Sequence, residues 1–153
     1  MRVMIDTNIL DHLDADIEAL DELINRRDIL LLVTPAQESE VAAIPDMAKR
    51  DRLQGIMAQL CRRLAIPSPP RFATVPVSDS RVGVKPTNRV LMGQARTADG
   101  SIIAAAVAAG CDLLVSEDVE VLDKALAAGL RAMDWRLFLD RVVFAPRRKK
   151  KQN

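Results

Sequence analysis

Residues 29–35 read Ile-Leu-Leu-Leu-Val-Thr-Pro, and this stretch decides the architecture. Five consecutive apolar residues without polar alternation suit a strand covered on both faces, as in parallel sheets flanked by helices. Thr34-Pro35 then supplies a helix start, because threonine caps well and proline is preorganised at the first helical position. Upstream, residues 1–6 (Met-Arg-Val-Met-Ile-Asp) form a second short apolar run that stops at an acid. Between the two runs, residues 16–27 carry Ile17, Leu20, Leu23 and Ile24 at helical spacing, with acids early and Arg26-Arg27 late, the order that the helix dipole favours.

Downstream, the pattern predicts a short helix over 36–44, ended by Pro45, and a longer one over 46–64 with Leu53, Ile56, Met57, Leu60 and Leu64 as its stripe. Residues 65–96 hold five of the eight prolines and read as a loop-rich excursion, with a strand only near 72–77. Thr97 is a good N-cap for an Ala- and Ile-rich helix over 98–109, and Gly110 sits where a C-terminal glycine belongs. Leu113-Leu114-Val115 is a third buried strand. A helix over 119–128 closed by Gly129, a strand over 130–133 and a terminal helix or turn from Trp135 to Val143 complete the chain. Strands alternating with helices imply βαβ crossovers, so the expected fold is a single-domain α/β three-layer sandwich around a mostly parallel sheet of four to five strands.

With 153 residues, 49% hydrophobic and 28% charged, the chain is long enough for one core and excludes disorder or a disulfide scaffold. Cys61 and Cys111 match no metal spacing and read as buried free thiols of a reducing compartment. No run of about 18 apolar residues and no leader pattern is present, so a cytoplasmic protein with no membrane span is expected. The single histidine, His12, rules out a His-rich metal site and reads as a surface residue. Without tyrosine, and with one Trp and three Phe, there is no aromatic stacking platform; Trp135 and Phe138 read as core or interface packing. Chemistry must come mainly from carboxylates. The net charge of +1 hides a division: residues 1–146 carry 17 basic against 21 acidic side chains, while residues 147–153, expected to be a disordered tail, hold Arg147, Arg148, Lys149, Lys150 and Lys151.

Ligands of open parallel sheets bind beyond the carboxyl ends of the strands. Asp6 ends the first strand, Asp118 follows the strand 113–115, Asp99 lies in the first turn of the helix feeding that strand, and Glu40 lies in the helix after the second strand. Each has a plain alternative. Asp99 can serve the helix dipole, Glu40 can be a solvated helix residue readily confused with Glu38, Asp118 can cap helix 119–128, and Thr7 and Asn8 can cap or turn. Taken together, four acids at one sheet edge repel one another unless a cation neutralises them, and hard oxygen donors suit Mg²⁺ or Mn²⁺.

In its order of motifs the chain resembles the PIN-domain family of metal-dependent nucleases, and within it the VapC-like toxins of bacterial toxin–antitoxin pairs. The matching residues are Val-Met-Ile followed by Asp6-Thr7-Asn8-Ile9-Leu10, Thr34 with Glu40 six positions later, Asp99-Gly-Ser-Ile-Ile-Ala-Ala-Ala, and Leu114-Val115-Ser116-Glu117-Asp118. They run from residue 1 to about 140. The long, proline-rich 65–96 departs from the compact strand and helix that the family usually has there, and Gly100 replaces a larger small residue. The resemblance implies that Asp6, Glu40, Asp99 and Asp118 bind one or two divalent cations, supported by Asn8 and Ser116.

The resulting expectation is a Mg²⁺- or Mn²⁺-dependent endoribonuclease, with RNA phosphates met by the basic tail, Arg26-Arg27 and the basic residues of 46–64. A homodimer and a small antitoxin protein as inhibitor are expected partners, the latter offering an arginine to the acidic cleft. The alternatives are a PIN-like module that binds RNA or protein without cleavage, and a phospho-acceptor signalling domain. Against the latter, the strand 1–6 ends in one acid rather than a pair, and no lysine follows strand 113–115 before Lys124.

Overall fold

The computed structural model describes residues 1–63 and 98–145, with only the backbone given for Ala98 and Asp99. The expected strand at 72–77, the excursion 65–96, the Thr97 cap and the tail 147–153 lie outside the described residues. Five strands, β1 (Arg2–Ile5), β2 (Leu30–Val33), β3 (Cys61–Arg63), β4 (Leu113–Val115) and β5 (Ala132–Met133), pair in the order β3-β2-β1-β4-β5, all parallel. The apolar runs are continuous because β1 is central: Val3, Met4 and Ile5 are each fully buried, alternately against opposite helix layers.

One layer consists of α1 (Thr7–Ala15), α2 (Ile17–Asn25), α3 (Pro35–Ala42), α4 (Met47–Leu60) and α7 (Trp135–Phe138), followed by a π-helical turn, Leu139–Val143. Its core joins Val3, Ile5, Leu31 and Val33 to Leu10, Leu13, Leu53 and Phe138. The other layer, α5 (Ala98–Ala108) and α6 (Val119–Ala127), packs Ile102, Ile103, Val121 and Ala125 on Met4, Leu32 and Leu114. The division follows from chain direction. The chain steps outward from β1 to β3 on one side and then returns to lay down β4 and β5 on the other, so crossovers of one hand must cover opposite faces. The three-layer α/β sandwich is the fold of this protein.

Capping places the boundaries. Asp16, Asp46, Asp118 and Asp134 each accept a backbone N–H at a helix start, and Thr34 with Gln37 forms a complete capping box behind Pro35. Gly110 and Gly129 end α5 and α6 at φ of +63° and +79°, the left-handed conformation that glycine adopts without strain.

Several boundaries differ from expectation. The chain enters α1 directly at Thr7, where Thr7 and Asn8 read as cap or turn, because Ile9, Leu10 and Leu13 are fully buried on one helical face. The helix expected over 46–64 stops at Leu60, and Cys61–Arg63 becomes an edge strand paired with Leu31–Val33. Arg26 is not a last-turn helix residue. It leaves α2, and its guanidinium donates to the Asp28 carboxylate (2.7 Å) and to the carbonyls of Val142 and Val143, tying α2 to the π-helical turn. Cys61 and Cys111 are free, as expected, but partly rather than fully buried. No described helix is long and apolar enough to cross a membrane.

Candidate functional site

The strand order places the reversal of chain direction between β1 and β4, so the crevice of the sheet opens where Asp6 and Ser116 leave those strands. Asp6 follows Ile5 and is pinned there by a ladder bond from its N–H to the Val115 carbonyl (2.9 Å). As N-cap of α1 it accepts the Thr7 N–H on Oδ1 at 2.7 Å. Its Oδ2 accepts the fully buried Ser116 hydroxyl at 2.6 Å and the Asn8 amide at 3.3 Å. Three donors thus fix one carboxylate.

Ser116 is a hub. Its oxygen also accepts the Asp118 N–H at 3.0 Å, which sets the turn that brings Asp118 to the start of α6. Asp118 in turn accepts the Glu120 N–H on Oδ1 at 2.8 Å. Asp118 is therefore both the helix cap and a wall of the crevice.

Glu40 arrives through α3. The buried Gln37 side chain donates to the Ile5 carbonyl (2.5 Å), fastening the first turn of α3 to the end of β1. Glu40, one turn on and on the same face, then reaches Thr7, whose hydroxyl donates to Oε2 at 2.6 Å. Asp6, Thr7, Asn8, Thr34, Gln37, Glu40, Ser101, Ile102 and Asp118 are among the residues lining a single cleft of about 400 Å³. Asp99 stands on the backbone of the first turn of α5, two residues before Ser101; its side chain lies outside the described residues, as do Arg147, Arg148, Lys149, Lys150 and Lys151.

Asp6, Glu40 and Asp118 share this cleft, and no lysine, arginine or histidine is among its described lining residues. Two helices, α1 and α6, present their N-terminal, partially positive ends to it. No three described acidic, histidine or cysteine side chains stand close enough to hold an ion together. Mg²⁺ does not demand three, since it keeps several waters and takes one or two carboxylates. On its donor chemistry the cleft fits such a cation.

Three of the basic residues that sequence offers to phosphates make surface ion pairs: Lys49 with Asp11 (2.7 Å), Arg52 with Asp14 (3.1 Å) and Arg63 with Glu38 (3.0 Å). Glu38 points to β3 while Glu40 points to Thr7, which separates the two acids that sequence leaves confusable. Thr7, Gln37 and Glu117 were not singled out as site residues. The Thr34-x-x-Gln37 spacing of a capping box was the available signal for Gln37.

Over 91% of this chain and 96% of the other, the structure is similar to the crystal structure of PAE2754 from Pyrobaculum aerophilum, with a TM-score of 0.52 and 19% identity. That likeness establishes the fold. No protein-family model and no curated protein matches the chain.

Proposed function

We propose that the protein is a divalent-metal-dependent endoribonuclease that hydrolyses RNA phosphodiesters, acting as the toxin of a toxin–antitoxin pair. The observation that carries this reading is the cleft at the β1/β4 reversal, where three carboxylates from three elements face one space without a basic residue among the described lining. Asp6, Glu40, Asp99 and Asp118 would supply the carboxylates for one or two Mg²⁺ or Mn²⁺ ions, one or two to each, with Asn8 and Ser116 as supports. Bound there, the cation supplies a Lewis acid that neutralises charge developing on the phosphate and acidifies the attacking water.

The chain's own residues supply position and a proton acceptor. Ser116, Asn8 and the Thr7 N–H hold the Asp6 carboxylate in one orientation. Glu40 is anchored through Oε2, while its Oε1 accepts no hydrogen bond among the described residues and is free to take the water's proton. The new bond would join water oxygen to phosphorus as the bond from phosphorus to the ribose oxygen breaks, the electron pair staying on that oxygen, which takes a proton from solvent while the water's proton goes to Glu40. The test is cleavage of RNA by purified protein with Mg²⁺ or Mn²⁺; the reading requires that EDTA abolish it.

The tail belongs to the same proposal. Deleting residues 147–153 is expected to weaken RNA affinity and to flatten its salt dependence, the slope of log K against log salt falling by roughly 0.7 for each lost single-strand phosphate contact. An unchanged slope makes the tail a bystander.

A homodimer is proposed on the exposed apolar residues of α2 and α4: Ile17 is 71% exposed, Ile24 40% and Met47 66%. Light scattering at tens of micromolar should give twice the chain mass, and a monomer there removes the dimer. The small antitoxin is proposed to place an arginine against the cleft acids.

A further inference from the structure

Glu117 lies between Ser116 and Asp118 and is not among the described residues lining the cleft, yet it is tied to both α1 and α7. Its N–H donates to Asn8 Oδ1 at 3.3 Å, the same asparagine whose amide meets Asp6. Its Oε1 accepts the Trp135 N–H at 2.9 Å, at the start of α7. The His12 ring of α1 stacks on the Trp135 ring at 5.9 Å and 17°, with Nε2 3.8 Å from that same Glu117 oxygen. Trp135 itself is buried against the fully buried Phe138.

We infer that Glu117 is a positioning residue of the cleft: its carboxylate fastens the β4–α6 turn to α7 while its backbone N–H orients Asn8. The physical case is one of rigidity. Ser116 and Asp118 sit on a three-residue turn that Ser116 already ties to Asp6 at the start of α1. Glu117 adds a second tie to α1, by way of Asn8, and carries the tie to α7, by way of Trp135. Groups that orient a cation's ligands without touching the ion change its affinity and the activity by about 10–100-fold when removed. The inference rests on the nuclease reading for its activity arm only.

The experiment compares the full chain with Glu117→Ala and Glu117→Gln. The alanine variant is expected to bind Mn²⁺ about 10-fold more weakly and to lower kcat about 10-fold, with KM for RNA within twofold. Glutamine, which keeps an oxygen to accept the Trp135 N–H, is expected to restore both. Unchanged Mn²⁺ affinity and kcat in Glu117→Ala, or no rescue by glutamine, would overturn the inference. Amide hydrogen exchange reads the same bracket without any activity. The Trp135 N–H should exchange at least about 10-fold faster in Glu117→Ala while the Leu114 N–H in the core is unchanged, and equal rates at Trp135 refute the role of Glu117 even if the protein cleaves nothing.

Discussion

Asparagine in place of Asp6 should lower metal-dependent RNA cleavage by about 100-fold or more while the fold survives. The expectation comes from what the carboxylate does. One oxygen accepts the Thr7 N–H and the other accepts the Ser116 hydroxyl and the Asn8 amide. Asparagine keeps an oxygen for the Thr7 N–H, and its amide can donate to the Ser116 oxygen, so among these contacts the acceptor lost is that of the longer, 3.3 Å Asn8 bond. The negative charge that attracts the cation is gone. Melting curves of the two proteins should therefore differ little, whereas cleavage assays across a Mn²⁺ titration should differ greatly. Equal cleavage by both proteins, or cleavage that persists in EDTA, would falsify the assignment.

The second large effect concerns a thiol far from the cleft. Burial pushes the Cys61 thiol up to about 12 from an ordinary value of 9.0. The residue is partly buried and lines a depression at the edge of the sheet together with Val33, Met57 and Ala58 and with Glu38, Gln54 and Arg63. At pH 8 the thiolate fraction, and with it alkylation by iodoacetamide, should be about 1,000-fold below that of an unperturbed cysteine. Guanidinium should restore the rate. Peptide mapping distinguishes Cys61 from Cys111, whose thiol is also raised, chiefly by burial. The linkage has a definite sign. Because the folded thiol holds its proton longer than the unfolded one, this contribution to stability is fully present below about pH 9 and is lost as pH rises toward 12. Rapid labelling of Cys61 in the native protein would show the depression to be wet.

What could be read from the chain alone depended on how local the cause was. The strands at residues 1–6, 29–33 and 113–115 announced themselves because burial on both faces leaves no polar residue in the run. Gly110 and Gly129 announced helix ends because few other residues take positive φ. The end of α4 was invisible, since Leu60 and Leu64 continue the apolar stripe in phase, while the force that straightens Cys61–Arg63 is pairing with Leu31–Val33, about thirty residues away. The helix α1 was hidden for another reason: Asp6 closes a strand and caps a helix at once, and no linker separates them. At the cleft, the rule of strand ends pointed to Asp6 and Asp118, whereas Glu40, a helix residue, entered only through its combination with the other acids. The contacts that hold them, Thr7 to Glu40 and Glu117 to Trp135, join residues 33 and 18 positions apart and carry no periodic signature.

The placement of β1 between β2 and β4 also has a consequence for synthesis on the ribosome. Of the five described strands, the first made is the central one. Its partner β2 follows within about thirty residues, but β4 lies 110 residues on in register, Val3 against Leu113. At roughly 5–20 residues per second, the open edge of β1 must wait some 5–20 seconds for its second neighbour. During that interval Val3, Met4 and Ile5 present unpaired backbone along one edge of a half-built sheet, and Met4 lacks the helix layer that later covers it, which is the form of the chain most exposed to misassociation and to chaperone capture.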